Sequence, residues 1–150
     1  MNSKIFALIV ALLSAETALA AGDGIPPRFA NLFPGMPMNV TLRHGIRTTL
    51  EADTRKSVVF DVVDGPFKDC VLLGNGRPEL STRYLISLNT LSCQADQVLV
   101  SGYIVGPDQV NGIPGKTVTQ KLGNADIYLF EVASKDPMTA TILQKFPVPK

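Results

Sequence analysis

Short runs of β-prone residues recur along this chain, and residues that favour turns separate them. In the stretch RYLISLNTLSC, Tyr84, Ile86 and Leu88 share one face, and Ser87 and Asn89 share the other. Similar runs are SVVFDVVDGPF, KDCVLLG, QVLVSGYIVG, KTVTQKLG and IYLFEVA. Strands at short intervals with turns between them are typical of antiparallel β proteins. The sequence therefore predicts an all-β fold, a single β-barrel or β-sandwich domain with mostly antiparallel strands.

Glycine, proline and asparagine mark the connections between these runs. The pair His44-Gly45 separates two β-prone runs and is predicted to form a two-residue turn. The stretch GNGRPELST, which ends just before Arg83, is predicted to be a loop. Gly102 lies inside a strand-like run, which indicates a β-bulge or a close approach of another chain segment.

The N-terminus, MNSKIFALIVALLSAETALAAG, has the pattern of a secretory signal peptide. Lys4 is followed by a continuous apolar run over residues 5–13 and by the small-residue site Ala18-Leu19-Ala20, so cleavage is predicted before Ala21. The alternative is a membrane anchor, but the run has about half of the roughly 20 residues that a spanning helix needs. We therefore expect export to the periplasm and no transmembrane span in the mature chain.

Export also bears on the two cysteines of the chain, Cys70 and Cys93. An even number of cysteines in an oxidising compartment favours a disulfide. The alternatives are two free thiols or a metal pair, and a metal site needs more ligands than Cys70, Cys93 and His44 supply. The predicted disulfide closes a loop of about 24 residues, which is worth roughly 3 kcal/mol of stability on the chain-entropy model.

The predicted organisation has four parts. Residues 1–20 are the signal peptide, and 21–38 are a Pro- and Gly-rich irregular arm. Residues 39–133 are the β domain, and 134–150 are a C-terminal tail that forms a helical turn or a terminal strand. The arm is interpreted either as a disordered tail or as a segment that becomes ordered on a neighbour.

Catalysis has little support in this sequence. The 14 basic residues nearly balance the 13 acidic ones, which gives no electrostatic reason to expect nucleic-acid binding. There is no G-x-S-x-G, H-E-x-x-H or P-loop motif, and the single histidine lies at a predicted turn. Asp61, Asp64 and Asp69 lie close in sequence and could do acid–base work or bind calcium, but turns and exposed strand faces explain them more simply. We predict a non-enzymatic protein with no metal and no cofactor.

Within the predicted loop before Arg83, Asn75-Gly76-Arg77-Pro78-Glu79 is the most polar exposed segment between two strong strands. Its functional interpretation is a contact loop on a rigid scaffold, and its structural interpretation is a solvated hairpin end. The candidate partner-contact residues are Arg77, Glu79, Leu80, Ser81 and Arg83. The disulfide would join the strands on either side of this loop.

Several short motifs occur in a specific order. A D-C-x-x-x-G segment leads to an L-S loop with an arginine, then to L-S-C, G-Y-x-V-G and G-x-x-G. In this order of features the chain resembles the β-barrel domain of the TraB-like scaffold proteins of conjugative type IV secretion systems. The resemblance covers about residues 34–122. It rests on Asp69, Cys70, Gly74, Leu80, Ser81, Arg83, Leu91, Ser92, Cys93, Gly102, Tyr103, Val105, Gly106, Gly112 and Gly115.

The chain also departs from that family in three respects. A signal sequence replaces the cytosolic segment, the inner-membrane helix and the Pro-rich spacer. No apolar helical hairpin follows Leu122, and the loop before Arg83 is one residue shorter. The resemblance thus implies a barrel domain alone.

The resemblance implies a periplasmic structural component of a secretion apparatus, which docks by protein–protein contacts near the outer-membrane core ring. The implied partners are other apparatus proteins, with a homo-oligomeric ring as one arrangement. The alternatives are a soluble periplasmic binding or inhibitor module and a small secreted hydrolase.

Overall fold

A computed structural model describes residues 24–50, 55–79, 82–133 and 136–150. The predicted signal peptide, Leu80 and Ser81 lie outside these residues. The described chain is all β, as predicted, apart from one 3₁₀ turn at Pro27–Phe29. Its strands are β1 (Met36–Leu42), β2 (Ile46–Thr49), β3 (Lys56–Val62), β4 (Val71–Glu79), β5 (Arg83–Cys93), β6 (Asp96–Val105), β7 (Ile113–Pro114), β8 (Lys116–Leu122), β9 (Ala125–Val132) and β10 (Met138–Phe146).

Six of these strands form a closed antiparallel barrel. The order is β4-β3-β1-β10-β6-β5, and β5 pairs again with β4, so the ring has no free edge. Two chain segments leave the ring, one between β1 and β3 and one between β6 and β10. These two excursions supply a separate three-stranded sheet with the order β2-β9-β8. Of the two predicted architectures, the structure therefore has the barrel, with a small side sheet added to it.

Alternating side chains fill the barrel. The sequence places Tyr84, Ile86 and Leu88 on one face of β5, and all three are buried. The strands β1, β3 and β10 follow the same alternation over most of their length. Burial of each large apolar side chain contributes roughly 1.5–3 kcal/mol, so these faces dominate the stability of the fold.

The N-terminal segment closes one end of the barrel. Phe29 is fully buried and stacks on Phe67, with ring centroids 6.2 Å apart. The ammonium of Lys145 donates to the carbonyl oxygens of Phe29 (3.0 Å) and Ala30 (3.2 Å), at the end of the 3₁₀ turn. The described part of the Pro- and Gly-rich N-terminal segment thus packs on its own barrel, because its apolar residues reach the core.

Strand pairing extends beyond the predicted β domain at both ends. β1 begins at Met36, within the segment 21–38 that was predicted to be irregular. β10 belongs to the predicted C-terminal tail and pairs with β1 and β6. Of the two forms predicted for the tail, the structure has the strand. β10 alternates buried and partly exposed residues over Met138–Ile142. Pro147 and Pro149 follow β10, so they do not interrupt its pairing.

Two local predictions were wrong, and one was confirmed. The pair His44-Gly45 does not close a hairpin, because β1 belongs to the barrel and β2 to the side sheet. The predicted loop before Arg83 is mostly strand, because β4 continues to Glu79 and pairs with β5 throughout. Gly102 is a close-approach site, since a Cβ there would lie 2.3 Å from the carbonyl oxygen of Thr141.

Candidate interaction surface

The disulfide predicted from the sequence is confirmed. Cys70 and Cys93 are joined, with their Cα atoms 4.5 Å apart. They lie just outside the pair Val71↔Ser92, at the open end of the β4–β5 hairpin. The hairpin tip lies beyond the pair Glu79↔Arg83, eight strand positions or roughly 27 Å away. The disulfide therefore joins the base of this hairpin and does not frame its tip.

Contacts within the barrel hold the tip instead. Tyr84 is fully buried, and its hydroxyl donates to the carbonyl oxygen of Gly76 across the hairpin at 2.9 Å. Burial raises the pKa of this phenol above its ordinary value, so it stays a neutral donor. The ring of Tyr84 also stacks on Phe130 of the side sheet, with centroids 6.1 Å apart. The side sheet therefore caps this end of the barrel.

Arg83, one of the predicted contact residues, binds groups of its own chain. Its guanidinium pairs with Asp108 at 2.5 Å and donates to the carbonyl oxygens of Val110 (2.8 Å), Asn111 (2.8 Å) and Gly112 (2.6 Å). The hydrogen bond from Arg83 holds the pKa of the Asp108 carboxyl below its ordinary value. Arg83 thus organises the loop between β6 and β7.

The other predicted contact residues are not brought into one site. Arg77 and Glu79 are exposed on β4, while Leu80 and Ser81 lie outside the described residues. The described part of the tip exposes Arg77 and Glu79 and buries the cross-strand pair Pro78 and Tyr84.

Of the three neighbouring aspartates, Asp69 is exposed in a turn with a φ of 68°, and the other two have different partners. Asp61 forms an ion pair with Arg43 at 2.5 Å, and Asp64 accepts a hydrogen bond from the Asn39 amide at 2.9 Å. The hydrogen bond to Asp61 raises the pKa of the Arg43 guanidinium. Within the described ranges, no group of three His, Cys, Asp or Glu residues could hold a metal ion.

The most exposed element of the described chain is the β8–β9 hairpin, which we call the arm (residues 116–132). β2 covers β9 only from Leu129 to Val132, so β8 and the first half of β9 extend past it. All of β8 is exposed or partly exposed. Two large apolar side chains stand out on the arm, since Leu122 is 66% exposed and Tyr128 is 57% exposed.

The two faces of the arm differ in character. Phe130 faces the barrel, so its neighbours two residues apart, Tyr128 and Asp126, lie on the same inner face. The opposite, outer face carries an apolar stripe made of Val118, Leu122, Ile127 and Leu129. Three of these side chains are half-buried and Leu122 is exposed.

A charged row lies at the base of the outer face. Arg47, Glu131 and Lys116 are direct neighbours across β2, β9 and β8. Arg47 Nε lies 2.9 Å from Glu131 Oε1. The row borders a cleft of about 650 Å³, which is lined by Gly45, Ile46, Arg47, Pro114, Gly115, Lys116, Glu131, Val132 and Ala133.

Sequence reasoning identified β8 and β9 as strands but not as a projecting arm. The signal was weak: KTVTQKLG has only two large apolar residues, which is a poor composition for a barrel strand. The polar residues of this stretch are compatible with any exposed strand. That it lies outside the barrel depends on its pairing with β9 and on the pairing of β9 with β2.

Fold and surface together define a small barrel protein with a disulfide-linked hairpin and a projecting β arm. No protein-family model matches the sequence, and a search of curated proteins gives no match. Among the described residues, no helix is long and apolar enough to cross a membrane.

Proposed function

We propose that this protein is a non-enzymatic, exported docking module that binds another protein through its arm. The observation that carries the proposal is the arm itself, a hairpin that extends past its sheet and exposes Leu122 and Tyr128. A two-stranded hairpin is at best marginally stable alone in water. A partner that covered the arm would bury apolar surface worth roughly 1.5–3 kcal/mol for each large side chain fully buried.

The barrel is suited to present such an arm. It has no open edge, its hairpin base carries a disulfide, and the side sheet is fixed to the barrel through the Tyr84–Phe130 stack. A rigid frame lowers the conformational entropy that binding would otherwise remove. The disulfide also fits the proposed location in an oxidising compartment, the periplasm.

We further propose that the partner belongs to a conjugative or related type IV secretion apparatus near the outer membrane. The resemblance of the motif residues to TraB-like scaffolds supports this proposal. The motif residues that the structure describes follow one another from just before β4, through β5 and β6, to the connection between β7 and β8.

Purification of the tagged full chain from envelope extracts tests the docking proposal. Co-purifying proteins are identified by mass spectrometry for the natural protein and for two variants. Leu122→Asp places a charge on the arm, and Val110→Asp makes the same kind of change at a residue 51% exposed elsewhere.

We expect secretion-apparatus proteins with the natural chain and with Val110→Asp, and at least a tenfold lower yield with Leu122→Asp. Equal recovery with both variants would exclude the arm as the docking surface. A natural chain recovered alone would contradict the proposed function as a whole.

A further inference from the structure

We propose that the outer face of the arm binds an extended segment of a partner protein with apolar residues along its length and carboxylates at one end. The inference rests on the proposed docking function and specifies the chemistry of the partner. Its basis is the continuity between the apolar stripe and the charged row, both of which lie on one face of the same sheet.

The charged row has an excess of positive charge. Arg47 pairs with Glu131, and its own side chain remains 58% exposed. Lys116 lies on the other side of Glu131 and makes no ion pair among the described residues. The row thus holds two cations and one carboxylate, which favours an incoming carboxylate at this position. The adjoining cleft gives room for such a side chain.

The apolar stripe determines the composition and the length of the rest of the partner segment. Val118 and Leu129 are a cross-strand pair next to the charged row, and Ile127 and Leu122 follow toward the hairpin end. From Lys116 to Leu122 the face is roughly 20 Å long, which matches about six or seven extended residues. Apolar side chains of the partner would cover the stripe while its carboxylates contact Arg47 and Lys116.

The charges also favour a different protein over a second copy of this chain. A second copy carries the same row, with two cations for one carboxylate, so its row supplies no surplus carboxylate to the first. Like charges brought together across an interface are unfavourable, whereas an acidic partner neutralises the row. The inner face is a poorer site because its base is covered by the barrel at Phe130.

Site-specific photo-crosslinking in cells that carry the natural partners tests this inference. A photoreactive residue is introduced at Ile127 on the outer face or at Tyr128 on the inner face, and the crosslinked peptides are identified by mass spectrometry. The charge reversals Lys116→Glu and Lys121→Glu are a matched pair, because these residues lie on the same strand but on opposite faces.

We expect an adduct from position 127 to a partner segment with both apolar and acidic residues. Lys116→Glu should lower its yield about tenfold, and Lys121→Glu should leave it nearly unchanged. An adduct to a second copy, an equal effect of both reversals, or an adduct only from position 128 would overturn the inference while leaving docking through the arm intact. No adduct from either position would count against both.

Discussion

At the residue scale, long-range contacts decide what individual side chains do. Arg83 was a reasonable candidate for partner contact, since it lies at the end of a polar segment. Its guanidinium instead binds a carboxylate and three carbonyl oxygens of a loop about 25 residues further along the chain. Nothing in the local sequence indicates that pairing. Alternation, by contrast, correctly predicted the buried face of β5 because burial repeats every two residues.

The Arg83–Asp108 pair makes the β6–β7 loop sensitive to acid. The pKa of Asp108 is lowered in the folded protein, so its stabilising effect is present above the unfolded value of about 3.9 and is lost as the pH falls through the lower folded value. We expect Asp108→Asn to lower the free energy of unfolding near neutral pH. The difference from the natural protein should shrink below about pH 4. Denaturant titrations across this range measure it, and a pH-independent difference would contradict the assignment.

Gly76 is required by packing. A Cβ at this position would lie 2.0 Å from Cε1 of Tyr84, which is fully buried. We expect Gly76→Ala to lower the free energy of unfolding by about 3 kcal/mol, at the upper end of overpacking effects. The neighbouring exposed change Arg77→Ala is the control and should cost less than about 0.5 kcal/mol. Equal midpoints for both variants in thermal unfolding would show that the ring has room to move.

At the element scale, the β4–β5 hairpin shows why the predicted loop was wrong. Gly74, Gly76 and Pro78 are turn-forming residues, so the sequence indicated a break. In the structure the two glycines allow close approach of β5. Pro78 lies beyond the last β3–β4 pair, Lys56↔Gly76, where no β3 residue needs its missing N–H. Tertiary packing thus overrides the local preference of Gly74, Gly76 and Pro78 for turns.

The disulfide stabilises the base of this hairpin. We expect replacement of both cysteines by serine to lower the free energy of unfolding by up to roughly 3 kcal/mol. Hydrogen exchange should increase most around Val71 and Ser92 and least around Glu79 and Arg83, because the tip is held by Tyr84. Hydrogen-exchange mass spectrometry distinguishes the two ends. Loosening confined to the tip would show that the disulfide holds the tip of the hairpin and not its base.

At the scale of the whole molecule, the fold class was predictable but the side sheet was not. The barrel follows from consecutive antiparallel strands, each pairing with its neighbour along the chain once the two excursions are set aside. The side sheet requires β2 to pair with β9, and the paired residues are 80 to 86 positions apart in sequence. No periodicity in either strand encodes that choice. The arm exists because β2 is shorter than β9, which is also a property of the pair and not of either strand.

The central claim is that the arm is the surface through which the protein binds its partner. Hydrogen exchange of the full chain, free and in the complex purified from the envelope, tests it most directly. We predict slower exchange over residues 116–132 in the complex and unchanged exchange in the barrel strands. Slower exchange at the tip of the β4–β5 hairpin, with no change in the arm, would contradict the claim.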